Sequence, residues 1–308
     1  MTEDINFLSP YLKKRFGKKV YKISLNGGMT CPNRDGTIGT GGCIFCSEGG
    51  SGDFAISGYN DINEQIEKGK SLIKNKLPKN EEAGFIAYYQ AYSNTYQSVE
   101  YLEKIFYPAI ENDEISALSI ATRPDCLEEE KLELLGKLNK IKPVFIELGL
   151  QTSDEKIAKF INRGYDNSVF EEAVRNLNAL GLEIIVHIIV GLPCENMLYE
   201  NSFLDTIKYI NKFPVNGVKF QLLHILKGTQ LEKYYKDNPF PVLEMNEYID
   251  IIINGIKYLR KDIVIHRITG DGPKKILVAP LWSGNKRLVL NTINNRINKL
   301  NVKQGELL

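Results

Sequence analysis

The sequence predicts an α/β fold organised around a buried parallel sheet, doubly wound or curled into an open barrel. Three observations predict it. Six apolar, β-branched runs recur along the chain, with amphipathic stretches at helical spacing between them. The runs are apolar on both faces, as strands covered by helices must be. All five cysteines and the unusual polar clusters fall just after the runs, where ligands gather in both architectures.

In chain order, KVYKISLN (19–26) is the first strand, and a helical pattern follows over 61–76. GFIAYYQ (84–90) and a helix over 98–111 come next, then ISALSIAT (115–122) and a helix over 128–140. In that helix, leucines at i, i+3 and i+4 follow acids in the first turn. PVFIELGLQ (143–151) precedes helical patterns over 155–162 and 168–180. Asn167 and Ser168 offer caps for the second of these, and Gly181 sits where a C′ glycine belongs. LEIIVHIIVGL (182–192), a helix over 198–212 and GVKFQLLHIL (217–226) complete six βα units. Beyond residue 240 lie a helix over 244–259, a strand-like IVIHRI, a Gly/Pro loop and a polar tail.

The 308 residues are 43% hydrophobic and 25% charged, an ordinary globular composition. A net charge of +1 does not advertise a polyanion partner for the molecule as a whole. No apolar run approaches the length of a spanning helix. The opening MTEDINFLSPYLKKRFGKK lacks a signal-peptide core, so a cytoplasmic protein without a membrane partner is expected. In that reducing setting, few and unevenly placed cysteines serve as metal ligands or nucleophiles rather than disulfides.

The stretch MTCPNRDGTIGTGGCIFCSEGG, residues 29–50, holds Cys31, Cys43 and Cys46. A structural zinc site needs a fourth ligand, which would be Cys126, Cys194 or a histidine. A redox C-x-x-C pair leaves Cys31 and the glycines unexplained. An iron–sulfur cluster explains more: three thiolates leave one iron open for a ligand, and Gly36, Gly39, Gly41 and Gly42 let the backbone wrap it.

These residues resemble the radical S-adenosylmethionine (radical SAM) superfamily, whose cysteine motif carries an aromatic before the last cysteine, here Phe45. The wide first gap is similar to that of the Elongator catalytic subunit and of short bacterial homologues of the YhcC/YtqA type. LNGGMTCPNRDGTIGTGGCIFCSEGGSGDF, QAYSNTY, SIATRPDCL, ELGLQT, INRGYD, HIIVGLP and TGDGPKKILVAPLW each resemble that group. The resemblance spans about residues 7 to 295. It implies a partial (β/α)6 TIM-like barrel over 1–240, with a C-terminal extension over 241–308 packed on it. It implies a [4Fe-4S] cluster on Cys31, Cys43 and Cys46, and reductive cleavage of S-adenosylmethionine to a 5′-deoxyadenosyl radical that takes a hydrogen from the substrate.

The resemblance also implies site residues. Gln90 and Asn94 stand where the family has a glycine-rich stretch that meets the methionine amino group; that stretch has lost its glycines here. Gln151 and Arg163 match cofactor-binding positions, with Arg163 suited to grip a carboxylate bidentately. His187 stands where relatives place a ribose contact. Arg123 either contacts cofactor or substrate or pairs with Asp125 to brace a loop. Glu147, a carboxylate inside a strand, needs partners. His224, which ends the sixth strand, and His266 and Arg267, before TGDG, are substrate-site candidates. Cys126, Cys194 and Trp282 read more simply as packing residues.

The basic run with Lys13, Lys14, Arg15, Lys18, Lys19 and Lys22 interleaves Phe16 and Tyr21. It is either a solvated face or a surface for an RNA backbone. Elongator-like chemistry implies tRNA as substrate, with the C5 side chain of a wobble uridine remodelled from carboxymethylaminomethyl toward aminomethyl. It also implies an electron donor such as flavodoxin or ferredoxin. No stretch resembles Elongator's acetyltransferase domain. Two alternatives stand beside this reading. One is a radical enzyme on a porphyrin-type carboxylate, since INRGYD and GLP are similar to the coproporphyrinogen dehydrogenase branch. The other is a non-catalytic iron–sulfur or zinc protein.

Overall fold

The computed structural model describes residues 4–50, 61–78, 82–270 and 272–308. Ser51–Phe54 of the cysteine-loop resemblance and Asp271 of TGDG lie outside the described residues. The first half of the chain runs α1 (Leu8–Phe16), β1 (Lys19–Leu25), α2 (Ile62–Ile73), β2 (Ala83–Tyr89), α3 (Val99–Glu111), β3 (Ile115–Thr122), α4 (Glu129–Ile141) and β4 (Val144–Gln151). Then come α5 (Glu155–Phe160), α6 (Asn167–Ala179), β5 (Glu183–Val190), α7 (Tyr199–Ile210), β6 (Gly217–Leu222), β7 (Ile225–Leu226) and α8 (Gln230–Asp237). The last elements are α9 (Met245–Tyr258), β8 (Val264–Arg267), β9 (Leu277–Ala279) and α10 (Lys286–Leu300).

The sheet is parallel throughout, in the order β1-β2-β3-β4-β5-β6-β8. Its curl follows from side-chain reach. In a flat sheet, β2 and β6 would lie four strand spacings apart, about 19 Å. Lys219 on β6 nevertheless approaches Tyr88 on β2, Nζ to hydroxyl 3.3 Å. The sheet is therefore rolled into a half-barrel with these side chains inside. Outward residues such as Leu25, Tyr89, Ile120, Leu148, Val186 and Phe220 join the helices in one core that extends to Val302.

Helix ends are set by local side chains. Asp61, Ser98, Asp154 and Thr229 accept backbone N–H bonds at the starts of α2, α3, α5 and α8, and Glu244 with Glu247 forms a capping box on α9. The expected cap at Asn167 or Ser168 is displaced by one residue. Asp166 holds the cap position, and Asn167 is the first helical residue, its N–H donating to Glu155. Gly181 takes the expected left-handed conformation, φ 67°.

Three expectations are corrected. The sheet has seven strands, because the IVIHRI segment supplies β8 beside β6. GVKFQLLHIL is two strands, β7 leaving the sheet to pair with β9. The polar tail is the 15-residue helix α10, held by a narrow stripe of Val289, Ile293 and Ile297. So narrow a stripe amid lysines and asparagines gives a weak periodic signal. Among the described residues, no helix is long and apolar enough to cross a membrane.

The basic N-terminal run is divided between α1, which carries Lys13, Lys14 and Arg15, the turn at Lys18, and β1, which carries Lys19 and Lys22; α1 closes the N-terminal end of the barrel. Leu12 packs with Ile86, Ala117, Phe145 and Ile185, joined by Leu8, Tyr11, Phe16 and Val20. Ile86, Ala117, Phe145 and Ile185 each stand two residues before Tyr88, Ser119, Glu147 and His187, one inward layer closer to the N-terminal end of the sheet. The interior is thus plugged at one end and open at the carboxyl ends of the strands.

Candidate active site

The open end is a cavity of about 600 Å³, within the usual range for cofactor and small-molecule sites. Cys31, Cys43 and Cys46 all line it. Their loop is built on backbone turns: Arg34 and Asp35 donate to the Cys31 carbonyl, and Cys46 donates to that of Cys43. Gly41 and Gly42 hold φ near +81° and +78°, a region that disfavours residues with a Cβ. Gly50, at φ +57°, lies against the Tyr92 ring, and a Cβ there would come within 2.2 Å of it. Arg34 ties the loop down by donating to the Cys46 and Ser47 carbonyls, 3.3 and 2.7 Å.

Burial pushes the Cys43 thiol up to about 12, with a further push from Cys46 and Cys31; Arg123 and an Asn33 amide contact act the other way. A buried Cys43 thiol that resists ionisation, with Cys31 and Cys46 facing the same cavity, suits a cationic metal centre, which would supply the missing charge. Cys126 and Cys194 do not line the cavity, so no fourth thiol faces it among the described residues. Nor do any three His, Cys, Asp or Glu side chains there converge tightly enough to hold a single ion. The cysteines share a cavity rather than a point.

Beneath the loop the barrel interior is polar, and Glu147 on β4 is its hub. The carboxylate is buried and accepts from Lys22 Nζ (2.6 Å), Ser119 Oγ (2.5 Å), His187 Nε2 (2.8 Å) and Lys219 Nζ. Four different strands supply these donors, which only the curl allows. Burial alone would raise the Glu147 pKa, but the Lys219 and Lys22 ammonium groups outweigh it and hold the carboxyl well below its ordinary range. His187 is driven down to about 4, first by burial and then by the Lys219 charge. It is neutral at physiological pH. Its Nε2–H donates to Glu147, which leaves Nδ1 as the ring's acceptor. Tyr88 lies between two ammonium groups, Lys22 at 4.8 Å and Lys219 at 4.4 Å from its ring centre.

The upper wall carries Gln90, Gln151, Phe45, Arg123 and Tyr165, and all five line the cavity. Gln151 adopts φ 63° at the end of β4, beside a bulge in the pairing with β5 that turns the strand end. His224 and Arg267 also face the cavity. Arg123 grips Asp125 bidentately, at 2.8 and 2.6 Å, and donates to the Arg163 carbonyl. The bracing ion pair is the arrangement found, with its charge felt at Cys43.

The structure overturns three placements. Arg163 is buried with four of its N–H donors committed, to the Leu150, Thr152 and Tyr165 carbonyls and to Glu155. It braces the β4 turn and has no paired face left for a bidentate carboxylate grip. Asn94 does not line the cavity; its amide donates to the Tyr89 and Ala121 carbonyls and splints β2 to β3. Lys13, Lys14 and Lys18 flank the plugged end, opposite the cavity, and Lys18 pairs with Glu82. Lys22, from the same run, alternates inward onto Glu147 instead.

Four residues were not singled out from the sequence: Lys219, Tyr88, Tyr165 and Gln221. Lys219 carried the same signal as Glu147, a charge in the middle of a buried strand. Trp282, read as packing, donates to the Leu243 carbonyl and leans on Tyr248.

Comparison with known proteins places this geometry. Residues 33–210 match the Radical SAM superfamily, and residues 215–299 match the Radical_SAM C-terminal domain. The chain is similar to YtqA of Bacillus subtilis, 39% identical over 300 residues that cover 97% of this chain and 91% of that protein. YhcC of Escherichia coli K12 is 33% identical over 304 residues, 98% of this chain and 95% of that one. A tRNA uridine(34) acetyltransferase of Methanocaldococcus jannaschii is 28% identical over 162 residues, 53% of this chain and 29% of that enzyme. Among solved structures, the archaeal Methanocaldococcus infernus Elp3 has the same fold, with TM-score 0.68 and 18% identity over 93% of this chain and 64% of that one.

Proposed function

The chain belongs to the radical SAM superfamily, and from that premise we propose that it modifies the C5 side chain of a wobble uridine in tRNA, converting a carboxymethylaminomethyl group toward an aminomethyl one. The family uses a [4Fe-4S] cluster and S-adenosylmethionine. The residues present fit that pair: three cavity-facing thiols, one of them, Cys43, disfavoured from ionising by burial, and no fourth thiol facing them among the described residues. When bound, cluster and cofactor supply a carbon-centred radical able to take a hydrogen atom from an unactivated C–H bond.

The chain's own residues then position and exclude. Cys31, Cys43 and Cys46 would hold the cluster, since all three line the cavity. Gln90, Gln151 and His187 offer neutral polar contacts along the wall, suited to an amino acid and a ribose. Glu147 stays ionised and holds His187, Lys22 and Lys219 in place. The apolar plug on α1 keeps water from the rear of the barrel. An electron carrier such as flavodoxin or ferredoxin delivers the reducing electron.

The observation that carries the reading is the polar barrel interior directly beneath three cavity-facing thiols. Relatives that act on tRNA uridine 34 support the choice of substrate. A wobble base sits in a single-stranded loop, from which it enters an enclosed pocket at low unstacking cost. The test is anaerobic incubation of reconstituted protein with dithionite and S-adenosylmethionine, with and without bulk tRNA from a strain deleted for the gene. Formation of 5′-deoxyadenosine together with a new tRNA nucleoside mass is expected. Cofactor cleavage with unchanged tRNA would move the substrate to small molecules.

A further inference from the structure

The floor of the cavity is charge-unbalanced. Glu147 is the one acid lining it among the described residues. Around that acid stand Lys22, Lys219 and Arg267. Lys22 and Lys219 both contact Glu147. Among the described residues Arg267 contacts no carboxylate, and its one hydrogen-bond partner is the Gln221 side-chain oxygen, 3.0 Å from Nη1. The other arginines lining the cavity are engaged: Arg34 with carbonyls, Arg123 with Asp125, Arg163 with Glu155 and carbonyls. Among the described residues Arg267 has a single donor atom committed, to a neutral side-chain amide, and it lines the cavity beside Lys22 and Glu147.

Its aim comes from the backbone. The β6–β8 pairing slips between Val218 and Lys219, so that Arg267 pairs with Lys219 while Ile265 pairs with Val218. Such a bulge re-aims a side chain. Both neighbours point inward: His266 lies under Gly217 and Arg267 faces the cavity. Arg267 is close enough for its charge to be felt at Tyr88, His187 and Lys219. Burial pushes Lys219 well below the ordinary lysine value, Glu147 pulls it back, and Lys22 and Arg267 push again. A second anion on the floor would relieve that repulsion.

We propose that Arg267, backed by Lys22, is the carboxylate-binding residue of the substrate subsite, so that this enzyme selects substrates bearing an anionic side chain. The proposal rests on the reading of this cavity as a radical SAM substrate site and deepens it. A planar guanidinium with open paired donors matches a carboxylate bidentately. The neutral His187 and Gln221 beside it add no opposing charge.

The test is protection of Arg267 from phenylglyoxal, read by peptide mass spectrometry on the full chain. Four probes are compared: propionate, propionamide, 5-carboxymethylaminomethyluridine and its methyl ester. Propionate is expected to slow modification of Arg267 about tenfold once present at about ten times its Kd, and propionamide to have no effect. The nucleoside acid should protect at lower concentration than propionate, and its ester should not. Protection by propionate but not by the nucleoside acid would keep the carboxylate subsite and sink the uridine substrate. Equal protection by acids and their neutral analogues, or none by any, would overturn the subsite. As a second readout, Arg267→Gln should erase the preference of the protein for the nucleoside acid over its ester in equilibrium dialysis; an intact preference would equally overturn it.

Discussion

Replacing Glu147 with glutamine keeps the volume of the barrel's central side chain and removes its charge. Four donors from four strands converge on that carboxylate, two of them ammonium groups. Lys219 is only 5% exposed and cannot reach water, whereas Lys22 is 19% exposed at its side chain. The loss is therefore dominated by Lys219, which burial already holds well below the ordinary lysine value and which is left without the carboxylate that opposes that shift. Breaking a buried pair from one side costs about 3–5 kcal/mol. At about 2–4 °C per kcal/mol, that is a fall in Tm of roughly 6–20 °C. The assay is thermal and urea unfolding of the parent, Glu147→Gln, Lys219→Met and the Glu147→Met/Lys219→Met double variant. The double variant removes the stranded ammonium and should recover more than half of the loss. A Glu147→Gln variant within about 1 kcal/mol of the parent would refute the hub. So would a double variant that merely sums the two single losses.

Cys31→Ser, Cys43→Ser and Cys46→Ser should each lose the iron bound on anaerobic reconstitution, while Cys126→Ser and Cys194→Ser keep it, because only the first three line the cavity; iron content decides. Arg163→Ala should chiefly destabilise the fold, by about 1–3 kcal/mol for each carbonyl left without its donor, and urea titration should show this with substrate-side contacts unmoved. Stability should fall as pH drops from 6.5 toward 4, because unfolded His187 takes up a proton that the folded ring refuses. The slope is at most about 1.4 kcal/mol per unit, less here because the side chain is 29% exposed. Urea midpoints at about pH 7 and about pH 5 should therefore diverge less in His187→Asn than in the parent; an equal decline would remove His187 as the cause.

The sequence by itself determined the six βα units, the edge of the sheet where the cavity opens, and the three thiols that line it. These are local facts. An apolar run marks a buried strand, and a glycine-rich cysteine loop marks a wrapped metal centre, wherever the chain later goes. Glu147 was legible for the same reason, since a charge inside such a run demands partners. Its partners were not legible. Lys22 looked like one more lysine in a basic run, and Lys219 like an interruption of a strand, because only the curl of the sheet brings β1, β3, β5 and β6 to one carboxylate. The tertiary structure also decided against Arg163 as a carboxylate grip, since its donors are consumed by carbonyls that no motif predicts. It moved Lys13 and Lys14 to the far end because the helix that carries them has a single apolar side to bury, and the open base of the barrel is what receives it; Lys18 follows in the turn between that helix and β1. And it turned Arg267 inward through a bulge in the β6–β8 pairing, a register choice made between strands rather than within one.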